Sequence, residues 1–380
     1  MMIHIKPVRN SAIELLRIIA MFIIIIHHFG VHGILHVLDN GISKEIILNN
    51  MFAWQLHFTQ IVAWGGTLGN AIFILITGYF MINKIVRTKK IILLVFNMLF
   101  YSWLILICVY IVMPELLTSA KIIKLILPIL FGENWFVTCY IQFFCFVPYL
   151  NKFLTALDKK KYLAFLLSIF LFFSLLPAVK IITYFNSAGV VFFALIYSIG
   201  GYLRLYFKDN INNKYHKTYC KICAFFLLVL VTSIIFFEMI GVYLNEDFFI
   251  RNAWHFVNTL SIPLAVAIFL AFATTKPFFN KYVNIVACTM LGVYLIHDNS
   301  LMRYVIWDYI FPNLDYISSS WYVVFYIIKV VAIFIVCSGI DLLRKRYIEP
   351  QMVRFIDRKF DVVNEYVKTK MNNVITLLDR

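Results

Sequence analysis

Apolar runs of about 20 residues, parted by short polar connections, recur from one end of the chain to the other. They fall at roughly 12–33, 58–82, 90–113, 134–151, 162–179, 186–203, 222–242, 253–275, 284–305 and 321–342. A run of that length crosses about 30 Å of hydrocarbon only as a helix, because no water is there to satisfy a frayed backbone. The pattern therefore predicts an all-α, polytopic integral membrane protein of about ten transmembrane helices. No repeat period stands out, which speaks against an inverted-repeat transporter.

Lysine and arginine are unevenly shared among the connections. Lys6 and Arg9 precede the first span. Lys84, Arg87, Lys89 and Lys90 fill the second connection, Lys152 and Lys159 to Lys161 the fourth, Arg204 to Lys221 the sixth, and Lys276 and Lys281 the eighth. The alternate connections carry only Lys44, Lys121 with Lys124, Lys180 and Arg251. This asymmetry predicts that both termini are cytoplasmic. Residues 1–345 read as the membrane domain and 346–380 as a basic, amphipathic cytoplasmic tail. "KIIKLILPILFG" (Lys121 to Gly132) is too short to span and holds Pro128, so it reads as an interfacial or re-entrant helix on the outer side.

Composition agrees: 62% of the 380 residues are hydrophobic and 14% charged, with a mean hydropathy of +0.86, which leaves no room for a sizeable soluble domain. The net charge of +15 belongs to the connections rather than to a groove-reading surface, so nucleic acid is not an expected partner; the lipid bilayer is. The first run is read as a retained helix rather than a secretory signal, since Glu14 and Arg17 interrupt it and no small-x-small cleavage site follows. The expected location is the plasma membrane, with multiple passes. The seven cysteines lie singly in apolar runs apart from "CKIC" at Cys220 and Cys223, and one such pair does not make a metal site.

Charges inside hydrocarbon cost at least about 2.5 kcal/mol each on insertion scales, so they need a partner or a cavity. In "IELLRIIAMFIIIIHHFG" the costly residues are Glu14, Arg17, His27 and His28. Arg17 and His28 are eleven positions apart, which on a helix is three turns plus about 20°, so they share a face about 16 Å apart along the axis. His27 is turned about 80° from Arg17. One face thus joins an anion-binding group near the cytoplasmic surface to a titratable group deep in the membrane. Purely structural alternatives are a Ser11–Glu14 capping box, a snorkelling arginine and a hydrogen-bonded histidine near the outer interface.

The stretch "RNSAIELLRIIAMFIIIIHHF" resembles the opening helix of the membrane-bound acyltransferase 3 family, whose signature is an arginine or lysine, ten intervening residues and a histidine. "IFILITGYF", "NWFVTCYIQFFCFVPYLN", "SIGGYLRLY" and "GVYLIHDN" resemble further family segments in matching order, over roughly residues 9 to 345. The likeness is greatest to members from Gram-positive polysaccharide clusters. It implies an enzyme with no bound cofactor that moves an acyl group, usually acetyl from acetyl-CoA as co-substrate, onto a carbohydrate hydroxyl, with polysaccharide biosynthesis machinery as a partner. By that analogy Arg17 contacts the acyl donor and His28 is the essential histidine. Arg204, with Lys208, stands only approximately where some members carry paired arginines.

An imidazole titrating near neutrality suits proton removal from a hydroxyl, and it can also carry an acyl group; both roles are open for His28. His297 and Asp298 lie at a comparable depth and are candidates to orient His28 or bind sugar, or else to cap a helix. Glu238 is a candidate for similar support. Trp135, beside Asn134, is a candidate sugar-stacking residue, or a member of the aromatic belt. Gly65, Gly66, Gly69 and Gly78 let helices or ligand approach closely. The competing reading is a carrier that flips a lipid-linked sugar or acyl donor through the same charges.

Overall fold

Helix α1 (Ser11–Gly30) starts at Asn10, whose extended backbone and side chain cap it by accepting from the Ala12 N–H at 3.1 Å. The expected Ser11–Glu14 capping box does not form, because Ser11 is engaged elsewhere. Its hydroxyl lies 2.9 Å from Asn284 Oδ1 and accepts from the Asn280 backbone N–H at 2.8 Å, tying α1 to the start of the ninth predicted span. The computed structural model describes residues 10–36, 53–178, 189–251, 253 and 258–359. Lys6, Arg9, Lys44, Lys180, the Arg251 side chain and the tail beyond residue 359 lie outside the described residues.

All secondary structure in the described residues is helical. Five helical segments are long and apolar enough to cross a membrane: Ser11–Leu35, Trp54–Met81, Thr88–Val112, Asn213–Leu244 and Tyr322–Tyr347. They match five of the ten sequence windows. A sixth window corresponds to a pair, Lys281–His297 and Ser300–Ile310, bent by 79° at a short break. Two other windows hold the shorter apolar helices Val190–Tyr206 and Ser261–Ala273. The last two hold Trp135–Ala156, with Pro148 inside it, and Lys159–Phe170, which runs into a π-helical turn.

The chain runs through α2 (Ala53–Ala63), α3 (Gly65–Met81), α4 (Thr88–Val112), a short α5 (Ser119–Ile126), α6 (Trp135–Ala156), α7 (Lys159–Phe170) and α8 (Val190–Tyr206). It continues through α9 (His216–Leu244), α10 (Ser261–Ala273), α11 (Lys281–Ala287), α12 (Met290–His297), α13 (Ser300–Tyr304) and α14 (Tyr322–Tyr347). Helix α3 is central, and glycines put it there. A Cβ on Gly78 would stand 2.1 Å from the Tyr197 carbonyl oxygen of α8, and one on Gly200 would stand 2.4 Å from that of Leu75. The two backbones meet where no larger residue fits. Gly69 does the same against Ala20 of α1.

The connections richest in lysine and arginine gather at one end. Ser11 reaches Asn280, Lys89 pairs with Asp357 at 3.0 Å, Asn213 Nδ2 donates to the Thr274 carbonyl, and the Tyr206 hydroxyl donates to that of Leu157. At the other end α5 lies against α4, with Ser102 Oγ donating to the Leu125 carbonyl and Trp103 Nε1 to that of Ile126.

Candidate active site

The break between α12 and α13 is built rather than frayed. Asn299 Oδ1 caps α13 by accepting from the Leu301 N–H, and Glu133 Oε1 accepts from the Ser300 N–H at 2.9 Å. Asp298 is thereby released from capping. His297, Asp298 and Asn299 are fully buried there, at the carboxy-terminal end of α12, where the helix dipole favours positive charge.

His28 of α1 meets this break. Its Nδ1 lies 2.9 Å from His297 Nε2 and its Nε2 lies 3.3 Å from Asp298 Oδ1. Hydrogen-bond direction assigns the tautomers. His297 Nδ1 faces the Val293 carbonyl at 2.6 Å, and a carbonyl only accepts, so that nitrogen carries the proton. In neutral His297 the Nε2 then accepts and His28 Nδ1 donates to it; Asp298 Oδ1, also only an acceptor, favours a proton on His28 Nε2, so Nε2 is the nitrogen that gains and loses the proton. Arg303 grips the same carboxylate oxygen with Nε at 2.8 Å and Nη2 at 2.7 Å, which compensates the buried charge. His27 points elsewhere, its Nδ1 bonded to the Ala63 carbonyl and its ring seated where a Cβ on Gly66 would lie.

A cavity of about 410 Å³ runs below this cluster. Glu14, Arg17 and Lys345 line one part of it, and Ile24, Phe136 and Tyr294 another. Ile24 and Tyr294 lie one helical turn before His28 and Asp298 on their own helices. The basic groups are at the end where the lysine- and arginine-rich connections gather. Arg17 pairs with Glu14 at 3.4 Å with its side chain 35% exposed, so its guanidinium is neither buried nor saturated. Lys345 bonds Glu349 at 3.0 Å. Burial pushes the Glu349 carboxyl up, but the Lys345 hydrogen bond and the charges of Lys345 and Arg344 outweigh it and hold it below its ordinary value.

A match over most of the chain accompanies this geometry: a family model described as an acyltransferase domain, that of the acyltransferase 3 family, matches residues 10–340. The chain belongs to the acyltransferase 3 family. No curated protein and no solved structure matches it. Family membership and the apolar helices together make the protein a membrane acyltransferase.

The residues selected from the sequence are only partly brought together in this acyltransferase. His28, His297 and Asp298 form one cluster, and Arg17 and Glu14 line the cavity beneath it. Glu238 pairs with His57 of α2 at 2.7 Å instead. Trp135 opens α6 with 40% of its surface exposed and is not among the cavity-lining residues; Phe136 and Val137, its neighbours, are. Asn134 is buried just before it. Arg204 lies over the Tyr79 ring, 5.2 Å from its centroid, and the second basic group lining the cavity is Lys345.

Sequence reasoning passed over Arg303, Lys345, Cys288 and His32. Cys288 lines the cavity. His32, four residues after His28, lies ring to ring with it at 5.2 Å, in a π-helical turn (Val31–Leu35). The H-x-x-x-H spacing and an arginine in the ninth apolar run were the available signals. His28, His32 and Asp298 offer one ligand atom each, all within 4.8 Å of one another. A cation there would compete with the Arg303 guanidinium already on Asp298.

Proposed function

We propose that this acyltransferase moves an acyl group, acetyl in the simplest case, from cytosolic acyl-CoA to a hydroxyl of a cell-envelope or exported polysaccharide or its lipid-linked precursor. The observation that carries the reading is a cavity with Arg17 and Lys345 in its walls, reaching to one turn below His28, whose basic nitrogen faces a buried carboxylate. Its volume lies in the range of small-molecule pockets. The phosphates of CoA suit the basic groups, and a thin pantetheine arm suits a passage walled by Ile24 and Phe136.

In the step itself, His28 Nε2 takes the proton of the sugar hydroxyl as its oxygen attacks the thioester carbon. The imidazolium so formed is stabilised by Asp298 and by the end of α12. His297, by accepting from Nδ1, leaves Nε2 to gain and lose the proton. Collapse of the tetrahedral intermediate breaks the carbon–sulfur bond, and the departing CoA thiolate takes the proton back from His28. A base role rather than an acyl carrier is supported by Asp298, which lies where the proton arrives.

The test is purified protein in lipid vesicles given acetyl-CoA and envelope glycan, with release of the CoA thiol measured, beside ester-linked acetyl on glycans from a deletion strain and its complemented parent. Release with the glycan, and ester lost on deletion, supports the reading. Transport of a lipid-linked sugar with no CoA release would favour the carrier.

A further inference from the structure

Asn70 of α3 lines the cavity with 9% of its surface exposed. Its Oδ1 is buried without a hydrogen-bond partner among the described residues, and its amide nitrogen donates to none of them either. A buried carboxamide left unpaired is destabilising, so one in a cavity wall points to a ligand that completes it. The neighbouring glycine fixes its depth. A Cβ on Gly69 would stand 2.5 Å from Ile24 Cγ1 and 2.8 Å from the Ala20 carbonyl oxygen, so this part of α3 lies level with the turn of α1 just below His28. Arg17 is two turns further toward the basic end, roughly 10 Å along α1 from Ile24. Phe73 and Thr77 continue the Asn70 face of α3 down the cavity. Thr77 is already satisfied, its hydroxyl donating to the Phe73 carbonyl at 2.9 Å.

We propose that Asn70 is a donor-binding residue whose carboxamide hydrogen-bonds the amide of the pantetheine arm nearest the CoA sulfur. This rests on the acyl-transfer reading of the site. With the phosphates beside Arg17 and Lys345, an arm running up the cavity brings its sulfur-proximal amide to the level of Asn70 and its acyl carbon beneath His28. The chemistry of the two groups matches. Asn70 can donate Nδ2 to the arm's carbonyl or, turned half about its last torsion, accept from the arm's N–H. The cavity wall also holds Ile24, Phe73 and Phe136, which are apolar, so without this bond the arm's own amide would be buried unpaired as well. A site built to hydrogen-bond a group discriminates against an analogue that lacks it, so this one should disfavour thioesters with no such amide. The bond is remote from the reacting carbon and equally available before and during the reaction, so it acts on KM rather than on kcat.

The experiment is Asn70→Leu, assayed in membranes by transfer of labelled acetyl into glycan. With acetyl-CoA the variant should raise KM about ten-fold and keep kcat within a few-fold. Two small donors then separate the bond from packing: S-acetyl-N-acetylcysteamine, which keeps the sulfur-proximal amide, and S-pentyl thioacetate, which replaces it with methylenes. The parent should prefer the amide-bearing ester by about ten-fold in kcat/KM, and the variant should use the two within about two-fold of each other. This preference is a ratio within one protein, so it is independent of abundance, and Asn70→Ala, which leaves space where leucine fills it, should lose it too. Since the carboxamide is unsatisfied, Asn70→Leu should be as heat-stable as the parent. A parental KM for acetyl-CoA in Asn70→Leu, or an equal loss with both small donors, overturns the assignment. Failure of the underlying reading shows differently: the parent itself transfers no acetyl from acetyl-CoA, or His28→Ala transfers it at the parent's rate.

Discussion

Among the described residues two histidine–carboxylate pairs stand out, one buried on both sides and one on its carboxylate side only, and they differ in what surrounds them. His28 and Asp298 sit 6% and 0% exposed at a helix break, with Arg303 on the carboxylate, His297 on the imidazole and a cavity one turn away. His57 and Glu238 approach more closely, at 2.7 Å, but the His57 side chain is 38% exposed, neither residue lines the cavity, and Glu238 Oε1 has no hydrogen-bond partner among the described residues. The tighter contact is thus the less elaborated one. A pair that only holds α2 to α9 needs opposite charges; one that passes a proton to and from a substrate also needs a fixed tautomer, a compensated carboxylate and room for a reactant.

The strongest way to break this comparison is at the bases. His28→Ala should abolish transfer at normal membrane abundance, since loss of a general base typically costs 10²–10⁴-fold. His27→Ala should cost much less, because His27 faces the Ala63 carbonyl. CoA release from membranes with each variant decides it, and a dead His27→Ala beside an active His28→Ala would reverse the site.

The carboxylates sharpen it next. Asp298→Asn removes the charge that stabilises the His28 imidazolium and leaves Arg303 without its counter-ion, so kcat should fall by roughly ten-fold or more. Glu238→Gln should leave kcat within a few-fold. Equal losses in the two variants, at equal abundance, would erase the distinction drawn between the pairs.

A smaller effect is expected at the cavity's basic end. Arg17→Ala should raise the apparent KM for acetyl-CoA more than Arg17→Lys, which keeps the charge but loses the planar fork. Arg204→Ala, removing a side chain that lies over Tyr79 and outside the cavity lining, should leave that KM unchanged. A normal KM in both Arg17 variants would make Arg17 a snorkelling residue. The smallest effect is predicted for Cys220→Ser with Cys223→Ser on α9, where transfer should stay within a few-fold.

Packing follows the same division as the chemistry. The span containing α3 is 72% buried across its apolar window and that containing α9 only 11%. Glycines at 65, 66, 69 and 78 were legible as points of close approach, and three of the four face α1 side chains or backbone. Which helices would meet at them was not legible, because a small residue says that something approaches without saying what.

The sequence by itself determined the apolar runs, the unequal lysine and arginine content of the connections, and the face shared by Arg17 and His28. These depend on composition and on the local geometry of one helix, which needs no partner to be defined. It also pointed to the family through ordered local motifs. Only the tertiary structure decided that His28 Nδ1 meets His297, 269 residues away, that Arg303 and not a second carboxylate attends Asp298, that Lys345 rather than Arg204 shares the cavity with Arg17, and that Glu238 belongs to His57. The reason is physical: in hydrocarbon each costly polar group must find a partner, but the chain's periodicity records only that the debt exists, and the crossing of helices distant in sequence settles who answers it.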